Sequence, residues 1–314
     1  MNALITGGAG FIGSHLSEHL LNSGWSVTAI DNFDSFYDPS IKRRNVAPLR
    51  SHRAYRLIEH DICTVLDIVE DVSAPDVIIH LAAKAGVRDS IADPASYSKV
   101  NVDGTVQVLE LARILNVKQF VFASSSSVYG DNAHVPWQED KSELVPISPY
   151  AATKIAGELL GSVYSRLYHI RFLALRLFSV FGPRQRPDLV ISKFTRAITK
   201  GEPIQCYGNG STRRDYTYIA DVVNAFSAAI AYSASDYEII NVGTNRSVSL
   251  QDLVKALEIA LGKTAAIESA AAQPGDAQVT LANIEKAYGL IGYVPTVSLQ
   301  AGISQFVDWM KAFG

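Results

Sequence analysis

The stretch Ala3-Leu-Ile-Thr-Gly-Gly-Ala-Gly-Phe-Ile-Gly13 decides the fold of this chain. A short apolar run leads into three glycines at the spacing G-x-x-G-x-x-G, and an amphipathic helical pattern follows from Phe11 to Asn22. In a strand–turn–helix unit, Gly7 permits the tight turn, Gly10 lets the backbone approach a pyrophosphate, and Gly13 lets the helix pack closely on the sheet. The free N–H groups and positive dipole end of the helix N-terminus also favour phosphate. The stretch therefore predicts a dinucleotide-binding site.

The acid at the end of the second predicted strand, Asp31, favours NAD over NADP. It follows the run Ser26 to Ile30 and lies eighteen residues after Gly13. An acid at this place bonds the adenosine ribose hydroxyls and repels a 2′-phosphate. The basic cluster Lys42-Arg-Arg44 could hold such a phosphate instead, but it lies well past the strand end, and we interpret it as the face of a loop.

Apolar runs and helical patterns alternate over the first half of the chain. Alternation of this kind argues for a parallel sheet that helices cover on both faces. The predicted fold class is therefore α/β, a Rossmann-type doubly wound parallel sheet with a smaller α/β C-terminal substrate lobe. Further strands are predicted at 55–58, 77–79, 120–122 and 172–177, and helices at 90–115 and 149–167.

The pattern changes after Gly182-Pro183, where predicted strands become fewer. Two late helices are predicted, at 250–261 and 299–309. We therefore expect a NAD-binding Rossmann domain over residues 1–182 and a smaller lobe for the substrate over residues 183–314, with the chain able to cross between the two.

Composition excludes several classes of function. The 314 residues carry a formal net charge of −3, which provides no basic surface for nucleic acid. No apolar run approaches the roughly 18 residues of a membrane span, so no membrane partner is expected. Cys63 and Cys206 are far apart and the histidines form no ligand spacing, so neither a disulfide nor a metal site is predicted. Such cysteine usage indicates a cytoplasmic location.

A tyrosine and a lysine, Tyr150 and Lys154, are the candidate chemical groups. They are four residues apart in a predicted helix, and so share one face of it. The ammonium there can lower the phenol pKa, which is about 10 when unperturbed. Such a phenol can take a proton from an alcohol while NAD takes a hydride. A pair of this kind is commonly only a surface pair, but the serine run Ser124 to Ser127 lies shortly upstream.

Together these motifs resemble the extended short-chain dehydrogenase/reductase family. The later segments are similar to its nucleotide-sugar 4-epimerase branch, and most of all to uronic-acid 4-epimerases. The matching segments are Gly7 to Gly13, Asp31, His80 to Ala83, Ser124 to Gly130, Tyr150 to Lys154, Arg176 to Pro183, Gly208 to Gly210, Arg214 to Tyr216 and Gln273 to Asp276.

The resemblance implies a catalytic trio. Tyr150 would be the general base and acid on the sugar 4-hydroxyl, Lys154 would bond the nicotinamide ribose and depress the Tyr150 pKa, and Ser125 would bond the 4-oxygen. NAD would be regenerated in each cycle and stay tightly bound. The residues expected around it are Gly7, Gly10, Phe11, Ile12, Gly13, Asp31, Asn32, Asp61, Ile62, Leu81, Ala82, Ala83, Lys84, Tyr150, Lys154 and Phe178.

The resemblance also implies a UDP-sugar substrate. Arg214 matches the phosphate-binding arginine and Asp276 the ribose-binding acid of the family. Gln273 stands where glucose-type epimerases have an arginine, and Arg88 could supply the missing charge. The expected substrate-binding residues are Arg88, Ser125, Ser126, Ser127, Tyr150, Ser179, Arg186, Arg214 and Asp276.

The residues after Ser125 point to the reaction. Related dehydratases and decarboxylases have acids there, but this chain has Ser126 and Ser127. Without a carboxylate the site can oxidise C4 and reduce it again, which is epimerisation.

The C6 group of the sugar is indicated by hydrogen-bond donors. Ser126, Ser127, Ser179 and Arg186 could bind a C6 carboxylate, so UDP-glucuronate and UDP-galacturonate are favoured. Arg186 could equally bind the diphosphate, as could Arg184. UDP-glucose/UDP-galactose or an N-acetylhexosamine therefore remains the alternative.

Two other classes compete with an epimerase. A non-catalytic, redox-sensing NAD module would not need intact Ser125, Tyr150 and Lys154. A one-way reductase of a keto-sugar or steroid would exchange its cofactor and usually use NADP. Family members commonly form homodimers through two helices of each subunit, and the predicted helices 90–115 and 149–167 are the candidates for this role.

Overall fold

A computed structural model describes residues 1–207, 210–270 and 277–313. Its strands and helices follow each other in an order that places a parallel sheet at the centre. The strands are β1 (Asn2–Thr6), β2 (Ser26–Asp31), β3 (Tyr55–Glu59), β4 (Val77–His80), β5 (Gln119–Ser125), β6 (Arg171–Leu177), β7 (Ser179–Phe181), β8 (Ile204–Tyr207), β9 (Arg213–Tyr218), β10 (Tyr237–Val242), β11 (Ser247–Ser249) and β12 (Ile267–Ala270).

Helices cover both faces of the central sheet. Shorter helical turns of 3-10 type lie at Ile62–Asp71 and Ser126–Tyr129, and a π-helical turn at Lys99–Asp103. The α-helices are α1 (Phe11–Asn22), α2 (Pro39–Val46), α3 (Val87–Ala92), α4 (Pro94–Ser98), α5 (Gly104–Ile114), α6 (Pro149–Tyr168), α7 (Val190–Lys200), α8 (Ile219–Ala231), α9 (Leu250–Leu261), α10 (Glu285–Ile291) and α11 (Leu299–Phe313).

The central sheet has seven parallel strands in the order β3-β2-β1-β4-β5-β6-β10. The chain builds outward from β1 in one direction and from β4 in the other. Ligands of such sheets bind outside the carboxyl ends of the strands, at the point where the order reverses. The doubly wound α/β fold that the sequence predicts is therefore confirmed, and the crevice lies where the glycine-rich turn was expected.

The chain crosses between its two parts. Strand β10 comes from residues beyond 182, yet it pairs along its length with β6 in the central sheet. Helix α8, which precedes it, packs against α1 and the same sheet. In the other direction, β7 of the first part pairs with β9 in a small sheet of β11, β9 and β7, and the later chain also forms the parallel pair β12 and β8.

The predicted helix over 90–115 is wrong at Asp93, where it is interrupted; helical structure then continues from Pro94 through the π-helical turn to Ile114. Helix α3 ends at Ala92, and Asp93 leaves helical geometry with φ −139° and ψ 66°. Pro94 follows, and a residue before proline is disfavoured in the helical region. The Asp93 carboxylate then caps α4 by accepting from the N–H of Ser96 at 3.3 Å.

The predicted loop around residues 42–44 is also wrong, because these residues belong to α2. Asp38 caps this helix by accepting from the N–H of Ser40 at 2.9 Å, and Pro39 occupies its first turn. An aspartate followed by proline is a typical helix start. The helix turns Lys42 inward, where the side chain is buried.

Among the described residues, no helix is both long and apolar enough to cross a membrane.

Candidate active site

The glycine-rich turn leaves room for a dinucleotide at the start of α1. Gly7 has φ +69°, and a Cβ there would lie 2.8 Å from the N of Ala82. A Cβ on Gly13 would lie 2.2 Å from the carbonyl oxygen of Gly7. Gly10 is the N-cap and no side chain caps the helix, so the N–H groups of its first turn are left for a phosphate. These residues fit the pyrophosphate of NAD.

Asp31, the residue expected to bond the adenosine ribose, is held at the end of β2. Its carboxylate accepts hydrogen bonds from the backbone N–H of Ala9 at 3.1 Å and of Phe33 at 2.9 Å. Beside it, the Asn32 amide donates to Asp61 at 2.8 Å, and Asp61 also accepts from the N–H of Cys63. Burial opposes ionisation of Asp61, but these hydrogen bonds lower its pKa overall. The neighbouring Ile62 is buried.

Lys42, predicted to lie on the face of a loop, instead lies beside Asp31. The Nζ of Lys42 is 3.6 Å from the Asp31 carboxylate, and both side chains are buried. Nζ also donates to the carbonyl of Asp34 at 3.3 Å and lies 5.2 Å from the ring centre of Tyr37. The Asp38-Pro39 helix start was the signal that could have placed Lys42 on the inner face of a helix.

The loop after β4, which holds Leu81 to Lys84, is fixed by a residue that sequence reasoning missed. The Asn101 side chain accepts from the N–H of Lys84 at 2.8 Å and donates to its carbonyl at 2.9 Å. It also donates to Thr153 of α6 at 3.0 Å. Asn101 thereby ties the cofactor loop to the helix that carries Tyr150 and Lys154. An asparagine inside a helical pattern was the available signal.

A buried hydrogen-bond chain runs beneath this loop. His80 Nδ1 lies 2.6 Å from Thr6 Oγ1, and His80 Nε2 lies 3.0 Å from Thr105 Oγ1. Thr6 Oγ1 also accepts from the N–H of Ala82, and Thr105 donates to the carbonyl of Asn101. Burial and the nearby Lys154 charge lower the His80 pKa to about 3. The imidazole is therefore a neutral link between β1, β4 and α5.

The catalytic candidates meet at the carboxyl end of β5. Tyr150 lies in the first turn of α6, and Lys154 follows one turn later. The Lys154 ammonium donates to the carbonyl of Ala123 at 2.8 Å and is 5.8 Å from the ring centre of Tyr150. Ser125 is buried at the strand end and accepts from the N–H of Ser127 at 3.1 Å. The fold thus brings the three groups together.

The phenol pKa differs from the expectation. Burial raises the pKa of Tyr150 above its usual value, while a hydrogen bond with Ser125 and the charge of Arg186 act in the opposite direction. The net direction is upward, so the expected depression is wrong for the free protein. Burial also lowers the pKa of Lys154 to about 8, against the influence of Glu158.

The serines expected to touch the sugar lie at the same edge. Ser126 and Ser127 form the 3-10 turn that follows β5. Ser125 is opposite Leu177, the last residue of β6, in the parallel pair β5 and β6. Ser179, the first residue of β7, follows Leu177 by two residues and so lies just beyond the same sheet edge. Phe178 is buried between them, 6.4 Å from the ring centre of Tyr129.

The two arginines that were candidates for the carboxylate or the diphosphate, Arg184 and Arg186, pair with different acids. The Arg186 guanidinium donates twice to Asp188, at 3.0 and 2.8 Å, and its charge acts on Tyr150. Arg184 instead pairs with Glu18 of α1 at 2.7 Å. Of these two arginines, Arg186 is the one whose charge acts on Tyr150.

The two other candidate arginines, Arg88 and Arg214, contact different groups. Arg88 is exposed and lies over the Tyr207 ring at 4.7 Å. Arg214 lies on β9 and donates to the carbonyl of Arg213 at 2.9 Å. The remaining expected residues, Gln273 and Asp276, lie outside the described residues.

Comparison with known proteins places this geometry in a family. A family model described as the NAD dependent epimerase/dehydratase family matches residues 3–243. The UDP-glucuronate 4-epimerase of Thermodesulfobacterium geofontis is 37% identical over 98% of this chain and 95% of that protein.

Solved structures are similar over the whole chain. The crystal structure of the UDP-glucuronic acid 4-epimerase from Bacillus cereus, in complex with UDP-glucuronic acid and NAD, has a TM-score of 0.94, 36% identity and 100% coverage of both chains. The UDP-glucose 4-epimerase from Thermotoga maritima with UDP-glucose has a TM-score of 0.91, 32% identity and 99% coverage of both chains.

Proposed function

Since the chain belongs to the NAD dependent epimerase/dehydratase family, as its sequence motifs predict, we propose that it is a NAD-dependent UDP-sugar 4-epimerase whose substrates are UDP-glucuronate and UDP-galacturonate. The observation that carries this proposal is the meeting of Ser125, Tyr150 and Lys154 at one strand end, with Arg186 acting on the same tyrosine. The crevice beside them has the glycine-lined turn that fits NAD.

The chain's own residues handle the proton at C4. Bound NAD supplies a reversible hydride acceptor. Tyr150 takes the proton of the sugar 4-hydroxyl and later returns it, and Ser125 donates a hydrogen bond to the same oxygen. The hydrogen bond with Ser125 and the charge of Arg186 oppose the rise in the Tyr150 pKa that burial causes. The Lys154 ammonium, 5.8 Å from the Tyr150 ring centre, adds a positive charge that favours the phenolate.

The lack of an acid beside Ser125 supports epimerisation over elimination. Ser126 and Ser127 form the turn directly after Ser125, where the related dehydratases and decarboxylases have acids. Hydroxyl groups at ordinary pH are too weakly basic to take a proton from C5. The site can therefore oxidise C4 and reduce it from the other face.

The state of Arg186 supports a carboxylate at C6. The Asp188 carboxylate accepts hydrogen bonds from Nε and Nη2 of Arg186. The remaining nitrogen, Nη1, has no hydrogen-bond partner in the parts of the chain that the structure describes. The guanidinium is mostly buried, and its charge already acts on Tyr150. A substrate carboxylate beside the 4-hydroxyl would satisfy Nη1 and form a charge-assisted hydrogen bond.

The test is a substrate panel with purified protein and no added NAD. UDP-glucuronate, UDP-glucose and UDP-N-acetylglucosamine are each incubated, and the configuration at C4 is read by NMR. The proposal predicts conversion of UDP-glucuronate to UDP-galacturonate with a kcat/KM at least tenfold above the others. Preference for UDP-glucose would support the alternative sugar, and no turnover of any UDP-sugar would favour a non-catalytic NAD module. A UDP-pentose as the main product would indicate decarboxylation instead.

We further propose a homodimer that pairs α6 of two subunits. Leu159, Val163 and Leu167 recur every four residues on this helix and are 63%, 48% and 63% exposed. An apolar stripe of this kind on a helix is typical of a helix–helix contact. Sedimentation at micromolar protein should give a dimer, and Leu159→Lys with Leu167→Lys should give a monomer. Ile259→Lys on α9, where the side chain is 72% exposed, is the control and should remain dimeric.

We also propose that the protein works in the cytoplasm, a reducing compartment. The support is that Cys63 and Cys206 are both free thiols. Fractionation of cells with an antibody to the chain would contradict this proposal if the protein were found outside the cytoplasm.

A further inference from the structure

Helix α6 is fastened to β5 by three consecutive strand residues. Ser125 acts on Tyr150, the carbonyl of Ala123 accepts from Lys154 at 2.8 Å, and the hydroxyl of Ser124 donates to Glu158 at 2.6 Å. Tyr150, Lys154 and Glu158 are spaced by four residues, so they occupy successive turns on one helix face. Glu158 is the member of this row that has no part in the proposed chemistry.

Glu158 is a fully satisfied buried acid. Its two oxygens accept from Nε and Nη2 of Arg176 at 2.9 and 2.8 Å, and both side chains are 2% exposed. Arg176 lies directly opposite Ser124 in the pair of β5 and β6. A buried ion pair is costly to desolvate, and replacing it by apolar groups often preserves stability, so stability alone is a weak explanation for it.

The network continues away from the site. Arg176 Nη1 donates to the Tyr129 hydroxyl at 2.9 Å, and Tyr129 donates to Asn241 of β10 at 2.8 Å. Glu158 is therefore held by groups on β5 and β6, which in turn connect to β10. A side chain held on several strands fixes both the height and the rotation of α6 above the sheet.

We propose that Glu158, held by Ser124 and Arg176, is a positioning residue for Lys154: it fixes the catalytic helix in register with β5 and keeps a negative charge one helical turn from the ammonium. The inference deepens the proposed epimerase function and rests on it. A rival explanation is that the pair only fills the space between α6 and the sheet.

Among the described residues that face Lys154, Glu158 is the acid whose charge affects the Lys154 pKa. From β5, Lys154 meets the Ala123 carbonyl and the Phe122 ring, whose centre is 4.9 Å away. His80 of β4 is kept neutral by its low pKa, and Tyr150 precedes Lys154 on its own helix. Burial lowers the Lys154 pKa to about 8, and Glu158 opposes this shift. Loss of the Glu158 charge should therefore lower the Lys154 pKa further.

The first variant for the test is Glu158→Gln in the NAD-loaded enzyme. Glutamine keeps the acceptor for Ser124 but removes the charge. The expected result is a fall in kcat of at least about tenfold with little change in KM or in bound NAD, since only the placement of the proton-transfer groups is disturbed. The loss of activity at alkaline pH should also begin at a lower pH than in the wild type.

A second variant separates positioning from packing. Glu158→Gln combined with Arg176→Met replaces the ion pair by a neutral pair of similar size, and should recover the unfolding midpoint without recovering kcat. This variant also serves if Glu158→Gln alone folds poorly. Recovery of the wild-type kcat and pH profile together with stability would overturn the proposal, as would an unchanged kcat in Glu158→Gln.

Asp221→Asn is the matched control. Asp221 is a buried acid of α8 that accepts from Thr296 and from the N–H of Val297, away from Lys154. The Asp221→Asn substitution should lower the unfolding midpoint and leave the dependence of kcat on pH unchanged. If the wild-type protein turns over no UDP-sugar, the proposed function fails, and this outcome is distinct from a failure of the Glu158 proposal.

Discussion

The ammonium of Lys42 lies 3.6 Å from the carboxylate of Asp31, and both side chains are buried at the place where the adenosine ribose is expected. Asp31 is held in place by two backbone N–H groups, so the pair presents a carboxylate and an ammonium side by side. A carboxylate repels a 2′-phosphate, whereas an ammonium attracts it. The balance between these two charges should decide the choice of cofactor.

Asp31→Asn should shift the cofactor preference towards NADP. With the repelling charge removed, Lys42 is left as the nearest charge to the ribose, and the ratio of NADP to NAD affinity should rise at least about tenfold. The measurement is calorimetric titration of protein stripped of NAD. Adding Lys42→Met to the same variant should abolish the gain. If the gain persists without Lys42, another group binds the phosphate.

Tyr150→Phe should abolish the proton transfer. Removal of a general base typically lowers kcat by about 10²- to 10⁴-fold, and the bound NAD should be retained because the glycine-lined turn is unchanged. The measurement is the initial rate of C4 inversion by NMR together with the ultraviolet spectrum of the purified protein. Tyr168→Phe, on an exposed part of the same helix, should keep the wild-type rate. Full activity of Tyr150→Phe would contradict the mechanism.

Activity should decline as pH rises through about 8, because the pKa of Lys154 is lowered to about 8 and the ammonium form is the active one. Lys154 keeps its proton only at a pH below its pKa. The rate should therefore be at its maximum below about pH 8 and should fall above it. Lys154→Arg should move the decline to higher pH at some cost in rate, since arginine stays charged. The measurement is kcat against pH. A decline at the same pH in this variant would assign it to another group.

Arg186→Met should discriminate between the two candidate sugars. If Nη1 binds a C6 carboxylate, kcat/KM for UDP-glucuronate should fall about 10- to 100-fold, as expected for loss of a hydrogen bond between charged groups. The value for UDP-glucose should change much less. Arg184→Met is the control, because Arg184 is paired with Glu18. Equal losses for both sugars would assign Arg186 to the diphosphate.

The protein should lose stability in acid because two of its histidines, the buried His80 and the half-buried His15, have lowered pKa values. Burial lowers the pKa of His80 to about 3 and of His15 to about 4, from the usual 6.5. At a pH below 6.5 but above the lowered pKa of each histidine, the unfolded chain binds protons that the folded chain does not. The free energy of unfolding therefore falls as the pH drops below 6.5. His80 alone contributes up to about 1.4 kcal/mol per pH unit in this range.

Urea unfolding at pH 6.5 and 5.0 would measure this effect. His80→Asn should lose stability less steeply in acid than the wild type. His134→Asn, at an exposed histidine, should leave the slope unchanged. An equal slope in His80→Asn would mean that other groups dominate the acid sensitivity.

The sequence by itself determined the features that depend on local spacing. The glycines at G-x-x-G-x-x-G, the alternating strands and helices and the helices Phe11–Asn22 and Leu250–Leu261 lie where the pattern predicted them. Tyr150 and Lys154 share a helix face for the same reason. The periodicity of a helix or a strand is a property of a few neighbouring residues, so a pattern of residue types is enough to reveal it.

Only the tertiary structure decided which distant groups meet. The pair of Lys42 with Asp31, the clamp of Asn101 on α6 and the ion pair of Glu158 with Arg176 each join separate elements. The return of β10 to the central sheet is of the same kind. Burial is also a tertiary property, which is why the Tyr150 pKa rises where helix spacing alone predicted a fall. Such contacts and their electrostatics follow from the packing of the whole chain, and no local pattern contains them.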